Sequence, residues 1–232
     1  MPLERHEFEG SGPLAEALAS RVAAVLESRI ADVGGASLAV SGGSTPVRLF
    51  NRLANWDLDW PRVTVTLVDE RWVEETSPRS NARLVREQLL VGPASSATFV
   101  PLFSEGCDLD HGAQQAEGRL AAMPRPFAAV ILGMGADGHT ASWFPDGDCM
   151  DLATDPACPK TVLALRSASA GEPRITLTLP VVLDTGLLVL HIEGGDKLAV
   201  LDRALEKGPV TELPVRAVLH QNMRPVALYW CG

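Results

Sequence analysis

Three short segments of the 232-residue chain pair backbone freedom with side chains that can move a proton or hold an anion. In Gly133-Met134-Gly135-Ala136-Asp137-Gly138-His139-Thr140, an aspartate stands two residues before a histidine inside a glycine-rich turn. A carboxylate at that spacing can orient an imidazole, and imidazole titrates where a general base is needed near neutral pH. Glycine costs conformational entropy, so Gly133, Gly135 and Gly138 mark a loop that must take a special shape. A lone histidine is more often structural, but the turn and the aspartate make His139 the candidate base and Asp137 its candidate partner.

The second segment, Ser41-Gly42-Gly43-Ser44-Thr45-Pro46, lies between an apolar run and a helical pattern. Gly42 and Gly43 let backbone approach a ligand, free N–H groups at a helix start attract anions, and Ser44 and Thr45 add hydroxyl donors. It is neither a P-loop nor G-x-G-x-x-G, because no Gly-Lys-Ser/Thr follows. A capped tight turn would look the same. The third, Asp69-Glu70-Arg71-Trp72, reads as a charged loop after a strand. Such loops are usually just solvated, yet Arg71 could clasp a phosphate in bidentate fashion and Asp69 could accept from sugar hydroxyls. Arg174 and Lys197 are weaker candidates for further positive charge. His6, His111, His191 and His220 have no mutual spacing for a metal and are read as structural. No G-x-S-x-G elbow is present, so serine-triad chemistry is unsupported.

These segments need strands and helices to place them. Apolar side chains at Leu14, Leu18, Val22, Val25 and Leu26 predict a helix over 11–33, capped by Ser11 and ended by Gly34-Gly35. Residues 37–40 read as a buried strand, and Pro46 suits the first turn of a helix carrying Val47, Leu49, Phe50 and Leu53. Further strands are expected at 63–68, 127–132, 162–165, 175–179, 187–192 and 226–230. Helices are expected at 80–90, 108–123 and 196–205, and 145–159 reads as an ordered loop near the site. Short apolar strands alternating with helices predict an α/β fold with a mostly parallel sheet covered by helices on both faces. In such sheets ligands bind at the carboxyl ends of strands, where all three segments fall. Neither repeat nor linker interrupts residues 1–232, which predicts one domain.

An apolar fraction of 46% and a charged fraction of 21% are those of a soluble globular protein. No apolar run approaches the roughly 20 residues of a membrane span, and the polar Met1–Glu7 segment lacks a signal-peptide core, which points to the cytosol. The scattered Cys107, Cys149, Cys158 and Cys231 suggest reduced thiols and no structural metal. A net charge of −9 disfavours nucleic acid and anionic membranes as partners, and requires any anion site to be locally positive.

The thirteen residues Gly133-Met-Gly-Ala-Asp-Gly-His-Thr-Ala-Ser-Trp-Phe-Pro145 closely resemble the signature segment of 6-phosphogluconolactonases. The likeness extends to Ser41–Pro46, Asp69-Glu-Arg-Trp-Val73, Ser80-Asn81, Arg174-Ile-Thr-Leu-Thr178 and Gly194–Lys197, in order along most of the chain. The resemblance implies a Rossmann-like sheet of the deaminase/isomerase type, without nucleotide. It implies hydrolysis of 6-phospho-D-glucono-1,5-lactone to 6-phosphogluconate in the pentose phosphate pathway, with no metal or organic cofactor. In that reading His139 takes a proton from the attacking water and Asp137 orients it. Gly42, Gly43 and Ser44 would hold the phosphate with Arg71, Arg174 and Lys197. The oxyanion could be met by backbone N–H groups near Gly135 or by Arg71. The related deaminases follow the histidine with Ile-Ala-Phe-Asn-Glu-Pro, whose glutamate would fall at Phe144, so a sugar-phosphate deaminase or isomerase is disfavoured. A non-catalytic sugar-phosphate sensor is the other alternative, but no basic helix-turn-helix precedes residue 37. The expected partner is a small phosphosugar lactone, and the expected assembly a monomer or small homo-oligomer.

Overall fold

The computed structural model describes residues 3–232. The chain opens with β1 (Leu3–Phe8), α1 (Ser11–Val33), β2 (Ala36–Val40) and α2 (Val47–Leu53). It continues through β3 (Val63–Leu67), β4 (Asp69–Arg71), α3 (Asn81–Gln88), β5 (Thr98–Val100), α4 (Leu109–Leu120) and β6 (Phe127–Leu132). There follow α5 (Met150–Ala153), β7 (Val162–Leu165), β8 (Arg174–Leu177), α6 (Leu179–Leu183) and β9 (Thr185–Glu193). The chain closes with α7 (Gly195–Leu205), α8 (Arg216–Leu219) and β10 (Val226–Cys231).

Seven strands form one sheet in the order β1-β10-β9-β6-β2-β3-β5, and every neighbouring pair is parallel. Parallel strands need crossover connections, and the helices that supply them cover both faces. β2 and β6 are accordingly buried along their whole length. From β2 the chain steps outward to β3 and β5, then returns to place β6 on β2's other side. The strand order reverses between β2 and β6, so the loops leaving their carboxyl ends diverge and open a crevice.

Leu14, Leu18, Val22 and Leu26 recur on one face of α1 and are fully buried against the sheet. Each such side chain contributes roughly 1.5–3 kcal/mol by leaving water. Gly34 ends the helix in the left-handed conformation at φ 83°, its N–H donating to the Ile30 carbonyl. Ser11 is not the cap: Gly10 holds that position, and the Ser11 hydroxyl donates to Glu193 at the end of β9. Ser80 and Asp108 do cap their helices, accepting from the N–H groups of Arg83 and His111.

A second, smaller sheet was not expected. β4 pairs antiparallel with β8, and β8 with β7. Asp69–Arg71 is therefore a strand rather than a solvated loop. β8 stops at Leu177, and Leu179 belongs to α6, because Thr178 and Pro180 turn the chain into a helix start. β1 escapes sequence reading because an edge strand carries polar side chains, here four exposed residues between two half-buried ends. β5, α5 and α8 are too short to show periodicity. Among the described residues, no helix is long and apolar enough to cross a membrane.

Candidate active site

The loop after β6 is shaped around one pair of side chains. Asp137 Oδ1 lies 2.6 Å from His139 Nδ1 and also accepts the His139 backbone N–H at 3.1 Å. A Cβ on Gly135 would fall 2.1 Å from His139 Nδ1 and 2.4 Å from Asp137 Oδ1, so only glycine leaves room for the pair. Gly138 turns the chain at φ 77°, and its carbonyl accepts from Val215. Gly135 N–H donates to the His139 carbonyl and Thr140 Oγ1 to the Gly133 carbonyl, closing the loop on itself. The Gly135 N–H is thus already engaged and unavailable to an oxyanion.

Partial burial pushes the Asp137 carboxyl up, but its hydrogen bonds and charge interaction with His139 outweigh this and hold it below the ordinary carboxylate value. A carboxylate that stays ionised selects the imidazole tautomer with the proton on Nδ1. That leaves Nε2 as a free acceptor. The ring packs on Phe144, centroids 4.3 Å apart. Ala141, in a left-handed conformation at φ 48°, swings the following segment down so that Ser142 donates to Asp69 at 2.5 Å. Trp143 Nε1 donates to the Leu177 carbonyl, anchoring the loop to the small sheet.

The loop after β2 has two glycines for two different reasons. Gly43 takes φ 87°, which L side chains rarely adopt. Gly42 is small because the Asn81 carboxamide sits where its Cβ would be, 1.8 Å from Oδ1. The absent side chain of Gly42 makes room for Asn81, while Gly42 and Gly43 both line the cavity. α2 has only seven residues, so anion binding here must rest on the Ser44 and Thr45 hydroxyls and nearby cations more than on a helix dipole.

β4 carries Asp69 and Arg71 on either side of Glu70. Glu70 is fully buried, and its carboxylate accepts from the N–H groups of Arg71, Asn81 and Ala82 and from Ser80 Oγ. Burial pushes its carboxyl above the ordinary range, against the opposing pull of those backbone donors. Glu70 thus ties β4 to the start of α3 and fixes where Asp69 and Arg71 point. Arg71 also donates to the Arg79 carbonyl.

These loops enclose a cavity of about 280 Å³. Ser41 to Pro46, Asp69, Arg71, Gly133 to Gly135, His139 and Lys197 all line it. Lys197 Nζ donates to the Met134 carbonyl, bracing α7 against the β6 loop. Arg174 does not line the cavity. It sits opposite Arg71 across the β4–β8 pairing, and its guanidinium is taken up by Glu172 and the Ala170 carbonyl. Burial pushes it below the usual arginine value, with Asp69 the largest opposing influence. Asp137 sits behind His139 rather than in the lining. Two residues that sequence reasoning left out do line it: Asn81 and His191, both almost wholly buried. Asn81 enters the sequence reading only through the Ser80-Asn81 likeness, with no role, and His191 is read there as structural. Among the described residues, no three histidine, cysteine, aspartate or glutamate side chains converge to hold a metal ion.

A family model described as glucosamine-6-phosphate isomerases/6-phosphogluconolactonase matches residues 10–230. The chain is 48% identical to a 6-phosphogluconolactonase of Rhizobium meliloti over 230 residues, covering 99% of each chain. It is 49% identical over 223 residues to one of Mesorhizobium japonicum, covering 96% of this chain and 93% of that one. The crystal structure of a 6-phosphogluconolactonase from Shewanella baltica superposes with a TM-score of 0.97 at 41% identity, covering 100% of this chain and 98% of the other.

Proposed function

The chain belongs to the family of glucosamine-6-phosphate isomerases and 6-phosphogluconolactonases, and from that premise we propose that it hydrolyses 6-phospho-D-glucono-1,5-lactone with His139 as general base. The observation that carries this reading is the buttressed Asp137–His139 pair, with Phe144 packed at a tilt against the imidazole. Isomerisation or deamination must shuttle a proton between sugar carbons and calls for a second acid–base group beside the histidine. A phenyl ring cannot supply it. Hydrolysis needs only one base that later acts as acid.

A water held near His139 attacks the lactone carbonyl while Nε2 takes one of its protons. Asp137 stabilises the imidazolium that forms. The tetrahedral intermediate collapses, the bond from carbonyl carbon to ring oxygen breaks, and the imidazolium returns the proton to the departing oxygen. The product is the open-chain 6-phosphogluconate. Arg71 can serve as the charged donor for the oxyanion or the phosphate; the Gly135 N–H itself is committed within its own loop, and other backbone N–H groups beside it remain the alternative for the oxyanion. Ser44, Thr45 and Lys197 face the phosphate, and Asp69, held by Ser142, accepts from a sugar hydroxyl. Arg174 supports the Arg71 strand rather than touching substrate. Activity resides in one domain spanning the chain, in the cytosol, on a free sugar phosphate. A non-catalytic sensor is disfavoured because the relatives that match along the whole chain are named as 6-phosphogluconolactonases, which are enzymes.

The test is direct. Purified protein is supplied with freshly made lactone, and 6-phosphogluconate release is followed with 6-phosphogluconate dehydrogenase, the spontaneous rate being subtracted. Turnover above background is expected with the lactone and none with glucosamine 6-phosphate. Ammonia release from the amino sugar, with no lactone hydrolysis, would reverse the assignment.

A further inference from the structure

His191 lies on β9 at the carboxyl end of the sheet and lines the same cavity as Ser44, Thr45 and Lys197. Its side chain is 2% exposed. Nε2 lies 3.3 Å from Glu193 Oε1, and Glu193 Oε2 in turn accepts the Ser11 hydroxyl at 2.8 Å. Nδ1 is buried and has no protein partner. A buried imidazole nitrogen without a partner is costly, and most such atoms find one. The groups around the ring are few. Glu193 follows on its own strand, Ser11 opens α1, Tyr229 is its register partner on β10, and Lys197 comes from α7.

We propose that His191 is a substrate-binding residue, its Nδ1 edge bonding the phosphate end of the ligand while Glu193, anchored by Ser11, fixes the ring. This deepens the assignment above and rests on it for the identity of the sugar. The placement is specific. β9 pairs with β6, Leu190 against Leu132, so His191 stands beside the start of the Gly133 loop, where Lys197 Nζ donates to the Met134 carbonyl. With Glu193 ionised, the neutral ring keeps its proton on Nε2 and presents a bare Nδ1. A phosphate dianion entering the cavity draws a proton from solvent onto Nδ1, which then donates to a phosphate oxygen. Burial holds the imidazole below its ordinary value against the pull of Glu193. The arrangement repeats the Asp137–His139 pair with a different duty: one imidazole holds a proton for the ligand, the other takes one from water.

The test has two arms. In the first, ¹⁵N imidazole signals of the wild-type protein, with His191 assigned by ring-to-backbone correlation, are followed while inorganic phosphate is added. The His191 Nδ1 signal is expected to move from the bare toward the protonated position. Signals that stay put at saturating phosphate overturn the proposal, and this arm needs no variant to fold. In the second, His191→Gln is expected to raise KM for the phosphorylated lactone about tenfold or more, the loss of one charge-assisted hydrogen bond. kcat should stay within about threefold, and KM for unphosphorylated gluconolactone should not change. Ser11→Ala, which frees Glu193 at the protein surface, should give a smaller rise of the same kind. Equal loss on both lactones would make His191 a structural residue and overturn the proposal. Failure of the wild type to hydrolyse the lactone would instead remove the proposed reaction while leaving the phosphate titration to be read.

Discussion

Asp137 and His139 are close enough that a change in either is read out on the other. Asp137→Asn keeps the shape and removes the negative charge, so the imidazolium loses its stabilising neighbour. The acidic limb of the kcat/KM profile is expected at lower pH than in the wild type, with a reduced plateau. A limb that does not move would separate Asp137 from the base. The sign for stability follows from the depressed Asp137 carboxyl. Its contribution is complete above the unfolded value of 3.8 and disappears as pH falls through the folded value, so the pair is intact throughout the neutral range. Gly135→Ala probes the same pair by volume. A methyl group must displace either ring or carboxylate, and because the pair is partly exposed the loop can yield. Steady-state kinetics should show kcat falling by roughly 10-fold to 100-fold with little change in KM, since the damage is to orientation.

At the scale of elements, Glu70 decides where β4 points. Glu70→Gln turns one acceptor oxygen into an NH₂ that faces donors, so the buried Ser80, Asn81 and Ala82 contacts cannot all be kept. Denaturant unfolding is expected to show a loss of about 1–3 kcal/mol, with weakened binding of phosphorylated ligand through the displaced Arg71. Glu70 illustrates what the sequence could and could not convey. The long parallel strands and α1 were legible because burial on both faces and a 3.6-residue apolar period leave strong patterns. β4 was not, because its stability comes from pairing with β8, more than a hundred residues away, and from one buried carboxylate. His139 and Lys197 stand beside glycines, and Asp69 and Arg71 just past an apolar run, so their meeting at one cavity could be expected from sequence. Arg174, a weaker candidate in the sequence, does not line the cavity, and Glu172, two residues earlier, takes up its charge. His191 stands two residues before Glu193 in an apolar strand, but the cavity that distinguishes it from a structural histidine is formed with other loops, which the sequence does not display.

Across the whole molecule, an acidic chain must attract an acidic substrate. The net charge of −9 opposes binding of a phosphate dianion, so Arg71 and Lys197 at the cavity supply the local reversal of sign. If Lys197 holds the phosphate, a group that does not react, Lys197→Gln is expected to raise KM for the phosphorylated lactone by about tenfold or more, with kcat changing less. Added salt should weaken wild-type binding in the same direction. Comparing phosphorylated with unphosphorylated lactone checks this, because only the former should feel the loss. If Arg71→Ala slows both lactones alike, Arg71 serves the oxyanion and Lys197 is left as the phosphate's principal cation.

The measurement that bears most directly on the central claim is the turnover of His139→Ala on the phosphorylated lactone, corrected for spontaneous hydrolysis. General-base help acts in the transition state, so kcat is expected to fall by roughly 10²–10⁴ with a much smaller change in KM. Phosphate binding at Ser44, Thr45 and Lys197 should persist in the same variant, showing that the cavity is still formed. A kcat close to wild type in a folded, phosphate-binding His139→Ala protein would contradict the mechanism, and Asp69, the cavity's own carboxylate, would then have to be the base.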